Sequence, residues 1–217
     1  MKKYFVFLFS TLIIALSGFV NSPQKISEED IISERVDSVL SLMTLEEKIG
    51  QLNQLSYGIG WGPTVKVNVP DEYKKLIKEG KIGSFLNAIG AEFTYELQKI
   101  AVNESRLKIP LLFGLDVIHG FKTTFPVPLG EAATWQPEIV EMSAHYQAIE
   151  AASAGIHWTF NPMVDIARDP RWGRIMEGSG EDPYLGSLMA AARVKGYQGN
   201  LGNLNILACV KHYAGYG

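Results

Sequence analysis

From Ile82 onward the chain alternates short, wholly apolar runs with stretches of helical spacing, and this rhythm limits the available folds more than any other feature. Residues 82–86, 109–115, 156–160 and 206–210 read as strands; 91–105, 136–154 and 183–198 read as helices, the second ended by Gly155. Strands without polar alternation are buried on both faces, which points to a parallel sheet. Strand–helix alternation of this kind gives either an open doubly wound sheet or a (β/α)8 barrel. A dinucleotide-type doubly wound sheet needs a glycine-rich turn between an early strand and its helix, and none is present. Instead Asp116 follows one strand and Lys211-His212 follows another, and polar residues at strand C-termini are what barrel active sites are built from. The expected class is therefore α/β, a TIM-barrel-like (β/α)8 fold. It is incomplete: four or five βα units can be read, whereas a full barrel takes about 250 residues. A partial barrel has open edges, so the expectation is the N-terminal part of a longer protein, a fragment or a truncated reading frame.

Ahead of this rhythm, residues 1–22 (two lysines, an apolar run, then small residues) have the layout of a secretory signal peptide, with an uncleaved anchor as the alternative. Residues 23–26 read as a linker, and 23–217 as one truncated catalytic domain. Ser27 with Asp30, and Thr44 with Glu47, are spaced as helix N-terminal caps. Residues 56–70 form a Gly- and Pro-punctuated loop holding Trp61, and 71–79 a helix stopped by Gly80. The chain has 20 Lys and Arg against 23 Asp and Glu; without Lys2 and Lys3 the balance is −5, which favours no nucleic-acid partner. After signal cleavage no membrane partner is expected. The single cysteine, Cys209, lies in the run ILACV and reads as a buried structural thiol in an exported protein.

Residues 169–186, DPRWGRIMEGSGEDPYLG, follow neither apolar period and read as a long ordered loop. Two Asp-Pro steps bracket it, and Asp182 is placed to cap the helix that starts at Pro183. The bland reading is a solvated charged loop; the sharper one is a ligand-facing loop held by its own ion pairs. One of Arg171 and Arg174 is expected to hold the loop through Glu177, Glu181 or Asp182, leaving the other for ligand. Glu177 and Glu181 sit close to arginines, so they are expected to be ionised partners rather than an acid–base pair.

At the strand ends, an ionised Asp116 suits two adjacent sugar hydroxyls, with capping or a lysine partner as the plain alternative. His119 reads as a packed or hydrogen-bonded structural residue. Trp61 and Trp172 suit either stacking on a sugar face or ordinary packing. Lys211 and His212 would point to opposite faces of an extended strand, so joint use in one pocket requires a bend or unusual peptide geometry there.

Six segments now bear on identity: MTLEEKIGQL (43–52), IPLLFGLDVIHG (109–120), FPVPLG (125–130), NPMVDIARDPRWGR (161–174), EGSGEDPYLG (177–186) and KHYAGYG (211–217). In this order they resemble the N-terminal domain of glycoside hydrolase family 3, the β-glucosidase and β-xylosidase group. The resemblance implies a barrel enzyme releasing terminal β-D-glucosyl or xylosyl residues with retention, through a carboxylate nucleophile and a carboxylic acid about 5 Å apart. It implies a carbohydrate substrate and neither cofactor nor metal. Asp116, Arg174, Lys211 and His212 match the residues that grip the terminal sugar, and cis peptides are expected around Lys211-His212.

Two departures qualify the resemblance. The family's nucleophile lies in a Ser-Asp-Trp-like segment and its acid/base glutamate usually on a following domain; this chain contains no Ser-Asp pair. Catalytic residues are thus expected beyond Gly217, with sugar-binding residues alone in hand. Ala214 and Tyr216 stand where the N-acetylglucosaminidase branch has Pro and His, which favours the glucosidase or xylosidase branch. The competing readings are a non-catalytic or vestigial sugar-binding protein and, more remotely, a phosphate-binding barrel enzyme.

Overall fold

The structure, a computed structural model, describes residues 27–57 and 68–216. Residues 1–26, where the signal peptide and linker are expected, Trp61 and Gly217 lie outside the described residues. The chain divides at Leu42 into two compact units. In the first, α1 (Glu28–Leu42) is opened by Ser27, whose hydroxyl accepts from the Asp30 amide while the Asp30 carboxylate accepts from the Ser27 amide.

Among its described residues the second unit contains five strands and six further α-helices. The strands are β1 (Gln54–Ser56), β2 (Ser84–Leu86), β3 (Leu112–Leu115), β4 (Trp158–Thr159) and β5 (Leu207–Ala208). The helices are α2 (Leu45–Gln51), α3 (Asp71–Lys78), α4 (Ala91–Glu104), α5 (Pro128–Ala132), α6 (Pro137–Ser153) and α7 (Pro183–Gln198). All neighbouring strands are parallel and stand in the order β1-β2-β3-β4-β5. A doubly wound sheet reverses its strand order at a switch point, whereas a barrel advances one strand at a time. The sequential order settles the choice in favour of the barrel wall.

Alternation along the strands sorts the side chains. One row joins Leu55, Phe85 and Phe113 and faces the helices; Phe85 and Phe113 are 0 and 1% exposed. They pack with Leu97 of α4 and with Ala144, Ala148 and Ala151 of α6, all in the main core. Burying each large side chain contributes roughly 1.5–3 kcal/mol. The next row joins Ser56, Leu86, Gly114, Trp158 and Leu207 on the opposite, open face. Gly114 is required there, since a Cβ would sit 2.2 Å from the Trp158 indole nitrogen. Where α6 crosses α7, a Cβ on Gly196 would meet the Glu141 carbonyl at 2.2 Å, so only glycine lets the helices approach this closely.

The Thr44 capping box is formed, and the Glu47 carboxylate also takes two hydrogen bonds from Arg106. The Arg106 hydrogen bonds, with the Thr44 amide, hold the Glu47 carboxyl down to about 2.

Three expectations change. The strands are shorter than their apolar runs because Ile82, Leu111, Ile156 and Ile206 are buried ahead of the ladder: hydropathy marks burial, not pairing. β1 lies partly in what reads as loop, since two of its three residues, Gln54 and Ser56, are polar and face away from the helices. Cys209 is half-buried, not buried, because β5 has a strand neighbour on one side only among the described residues.

Candidate functional site

Backbone pairing continues beyond the named strands at the C-terminal end of the sheet. Cys209 donates to the Asn161 carbonyl at 3.1 Å, Lys211 to Pro162 at 3.0 Å, and Val164 to Lys211 at 2.8 Å. The two segments therefore run side by side as far as Lys211. The Asn161–Pro162 and Lys211–His212 peptides are both cis. Asp116 follows β3 two residues after Gly114, so alternation carries it onto the open face.

The side chains meet in one chain of contacts. Lys211 Nζ lies 3.3 Å from Asp116 Oδ1 and 3.7 Å from Glu177 Oε2. Glu177 accepts two hydrogen bonds of 2.6 Å from Arg174, whose Nη1 donates to the Tyr216 hydroxyl at 2.5 Å. The Tyr216 ring lies 3.9 Å from the His212 imidazole and meets Trp172 edge-on at 5.5 Å. His212 Nδ1 is 2.8 Å from Asp165 Oδ2, a carboxylate with a 6% exposed side chain. Asp116, Arg174, Lys211 and His212 thus converge, and Lys211 and His212 reach the same cluster despite being adjacent.

The loop that supplies Arg174 is held by local bonds. Its ends are tied by Ala167 N to the Gly180 carbonyl, it turns through a short 3-10 helix at Ile175–Glu177, and Asp182 caps α7 through Tyr184 and Leu185. Arg174 is the loop-holding arginine. Arg171 is not left free: Asp169, two residues back, takes both its backbone amide and its guanidinium, and its side chain is 89% exposed.

Charge follows geometry. The paired hydrogen bonds from Arg174 hold the Glu177 carboxyl below its ordinary range, outweighing burial, with Lys211 adding to the effect. The same bonds, together with Tyr216, push the Arg174 guanidinium up. Glu177 is an ionised clamp, the expected partner rather than an acid. A guanidinium has five N–H donors and Arg174 spends three, so two remain for a ligand. Asp116, with its side chain 55% exposed, keeps lone pairs open to solvent. Charged acceptor, ammonium, guanidinium and imidazole gathered in one partly exposed cluster suit a dense set of hydroxyls.

Among the described residues no group of three or more His, Cys, Asp or Glu side chains is arranged for a metal ion. No described helix is long and apolar enough to cross a membrane. His119 is half-buried with an Nδ1 that has no hydrogen-bond partner, so it is packed without being bonded through that atom. Sequence reasoning missed Asp165, the Tyr216 hydroxyl and a buried pair behind the site, Arg193 with Glu131. The signal for Arg193 was its place in the stripe Met189, Arg193, Tyr197, a charge at the i, i+4, i+8 spacing of a buried face.

A sheet advancing strand by strand with a polar cluster at its C-terminal end is the arrangement of a barrel wall. Residues 44–217 match the model of the glycosyl hydrolase family 3 N terminal domain, and the chain belongs to that family. It is 40% identical over 184 residues to a periplasmic beta-glucosidase of Salmonella typhimurium, covering 84% of this chain and 23% of that protein. A putative beta-xylosidase of Formosa agariphila is 35% identical, covering all of this chain and 31% of that protein. The crystal structure of a beta-glucosidase from Listeria innocua in complex with isofagomine superposes with a TM-score of 0.71 at 42% identity, over 83% of this chain and 26% of that one. The chain spans about a quarter to a third of the length of these relatives.

Proposed function

We propose that this chain is the sugar-holding, N-terminal part of an exported, retaining exo-β-glycosidase of the β-glucosidase or β-xylosidase type. Asp116 accepts hydrogen bonds from vicinal hydroxyls of the terminal sugar, Lys211 and the two spare Arg174 N–H groups donate to hydroxyl oxygens, and His212 closes the ring of contacts. The nucleophile and the acid/base lie on polypeptide outside these 217 residues, so the chain holds the sugar and another part supplies the chemistry. Export to the periplasm or beyond follows from residues 1–22 and accords with the periplasmic beta-glucosidase it resembles. The observation that carries the reading is the unbroken contact path from Asp116 through Lys211, Glu177, Arg174 and Tyr216 to His212.

A panel of nitrophenyl glycosides tests it. The full-length gene product is expected to turn over the β-glucoside or β-xyloside, with release of the sugar in its original configuration. The 217-residue chain alone is expected to be inactive. No turnover of any β-glycoside by the full-length product would refute the proposal.

A further inference from the structure

Behind the mouth, on the side facing the helices, lies a second polar network that makes no contact with Asp116, Arg174, Lys211 or His212 in its own bonds. Arg193 of α7 and Glu131 of α5 form an ion pair of 2.9 Å with side chains 3 and 5% exposed. Arg193 Nη1 donates to the Ser179 hydroxyl at 3.1 Å and Nη2 to the Pro128 carbonyl at 3.3 Å. The other Glu131 oxygen accepts from Ser143 at 2.5 Å, and Ser143 accepts from Gln147 Nε2 at 3.0 Å. Gln147 Oε1 takes the Gly120 amide at 3.0 Å and lies 3.1 Å from the Tyr197 hydroxyl. Tyr197 in turn accepts from Asn161 Nδ2 at 2.7 Å and reaches the Val117 carbonyl at 2.9 Å.

The endpoints of this network are what give it meaning. Ser179 is two residues beyond Glu177, Val117 is the residue after Asp116, and Asn161 opens the segment that pairs with Lys211. Three of the four segments that carry the mouth cluster are therefore bolted directly to one buried frame, and the fourth, Lys211–Tyr216, is tied to it through its backbone pairing with residues 162–164. Stability alone does not call for such a frame, since a buried ion pair is often matched by apolar side chains of similar volume. An apolar pair cannot aim the Ser179 hydroxyl or the loop it fixes, and small misplacements far from the chemistry are costly.

We propose that the Arg193–Glu131 pair, acting through Ser179 and Tyr197, is the positioning framework that sets Glu177, and through it Arg174 and Lys211, for the sugar. The inference rests on the reading of the mouth as the sugar-holding side.

The test compares the full-length gene product with its Glu131→Leu/Arg193→Met double variant, reading thermal melting, isofagomine titration and tryptic cleavage after Arg174. The double variant is expected to melt within ~3 °C of the parent, bind isofagomine at least ~10-fold more weakly and be cut after Arg174 at least ~10-fold faster. Affinity and cleavage both within ~2-fold of the parent, at unchanged melting, would overturn the inference. If the double variant does not fold, Ser179→Ala decides: a loss of affinity of ~3-fold or more supports the framework, and one under ~1.5-fold refutes it. Failure of the parent itself to bind isofagomine sinks the sugar reading instead, and the cleavage arm still decides whether the frame sets the loop.

Discussion

Two arginine–carboxylate pairs at nearly the same separation differ sharply in burial. Arg171–Asp169, at 2.6 Å on the outer rim of the loop, has side chains 89 and 48% exposed; Arg193–Glu131, at 2.9 Å behind the mouth, has 3 and 5%. On the rim, water and salt screen the charges and the pair does little beyond local shaping of the turn. In the interior, neither partner has a second ion-pair partner among the described residues, so losing one leaves the other's charge uncompensated. The mouth cluster lies between these regimes, with exposure falling from Asp116 at 55% through Arg174 at 37% and Glu177 at 21% to Lys211 at 12%. That gradient suits a binding site: the clamp is dry enough to hold its shape, and the group that meets the ligand is wet enough to be reached.

The comparison breaks first at its buried end. Arg193→Met alone leaves Glu131 charged and unpaired in the interior, and is expected to cost about 3–5 kcal/mol in chemical denaturation. A loss below ~1 kcal/mol would mean that water reaches the pair after all. Next comes the clamp. Because the Glu177 carboxyl is lowered in the folded state, its contribution is complete above the ordinary glutamate range and disappears as pH falls through the lowered folded value. Amide chemical shifts of residues 174–180 are thus expected to stay constant from neutral pH down to the ordinary glutamate range and to move only below it. Movement near neutral pH would assign the clamp to another group. The rim gives the smallest effect: Arg171→Ala is expected to change stability by no more than about 0.5 kcal/mol, the ordinary scale for an exposed pair.

Much of this was legible in the sequence, for physical reasons that can be named. The α4, α6 and α7 helices fall within a residue or two of their apolar spacing, and the Thr44 and Asp182 caps form as their side chains require. The parallel wall followed from runs that never alternate. Asp116, Lys211 and His212 stood out because strand ends are where a barrel places polar groups. What stayed hidden depends on partners distant in the chain. β1 is three residues with one apolar side chain, too little for periodicity to register. Arg193 and Glu131 are 62 positions apart, and only the fold makes one the other's counterion. The half-exposure of Cys209 reflects that β5 has a strand neighbour on one side only among the described residues, which no local pattern encodes.

The central claim, that Asp116 is the hydroxyl-gripping group of the mouth, is met most directly by kcat/KM of the full-length gene product and its Asp116→Ala variant on the preferred nitrophenyl glycoside. With several charge-assisted hydroxyl contacts removed, kcat/KM is expected to fall at least ~100-fold. A fall of less than ~5-fold, with the fold intact, would show Asp116 to be a structural partner of Lys211 and nothing more.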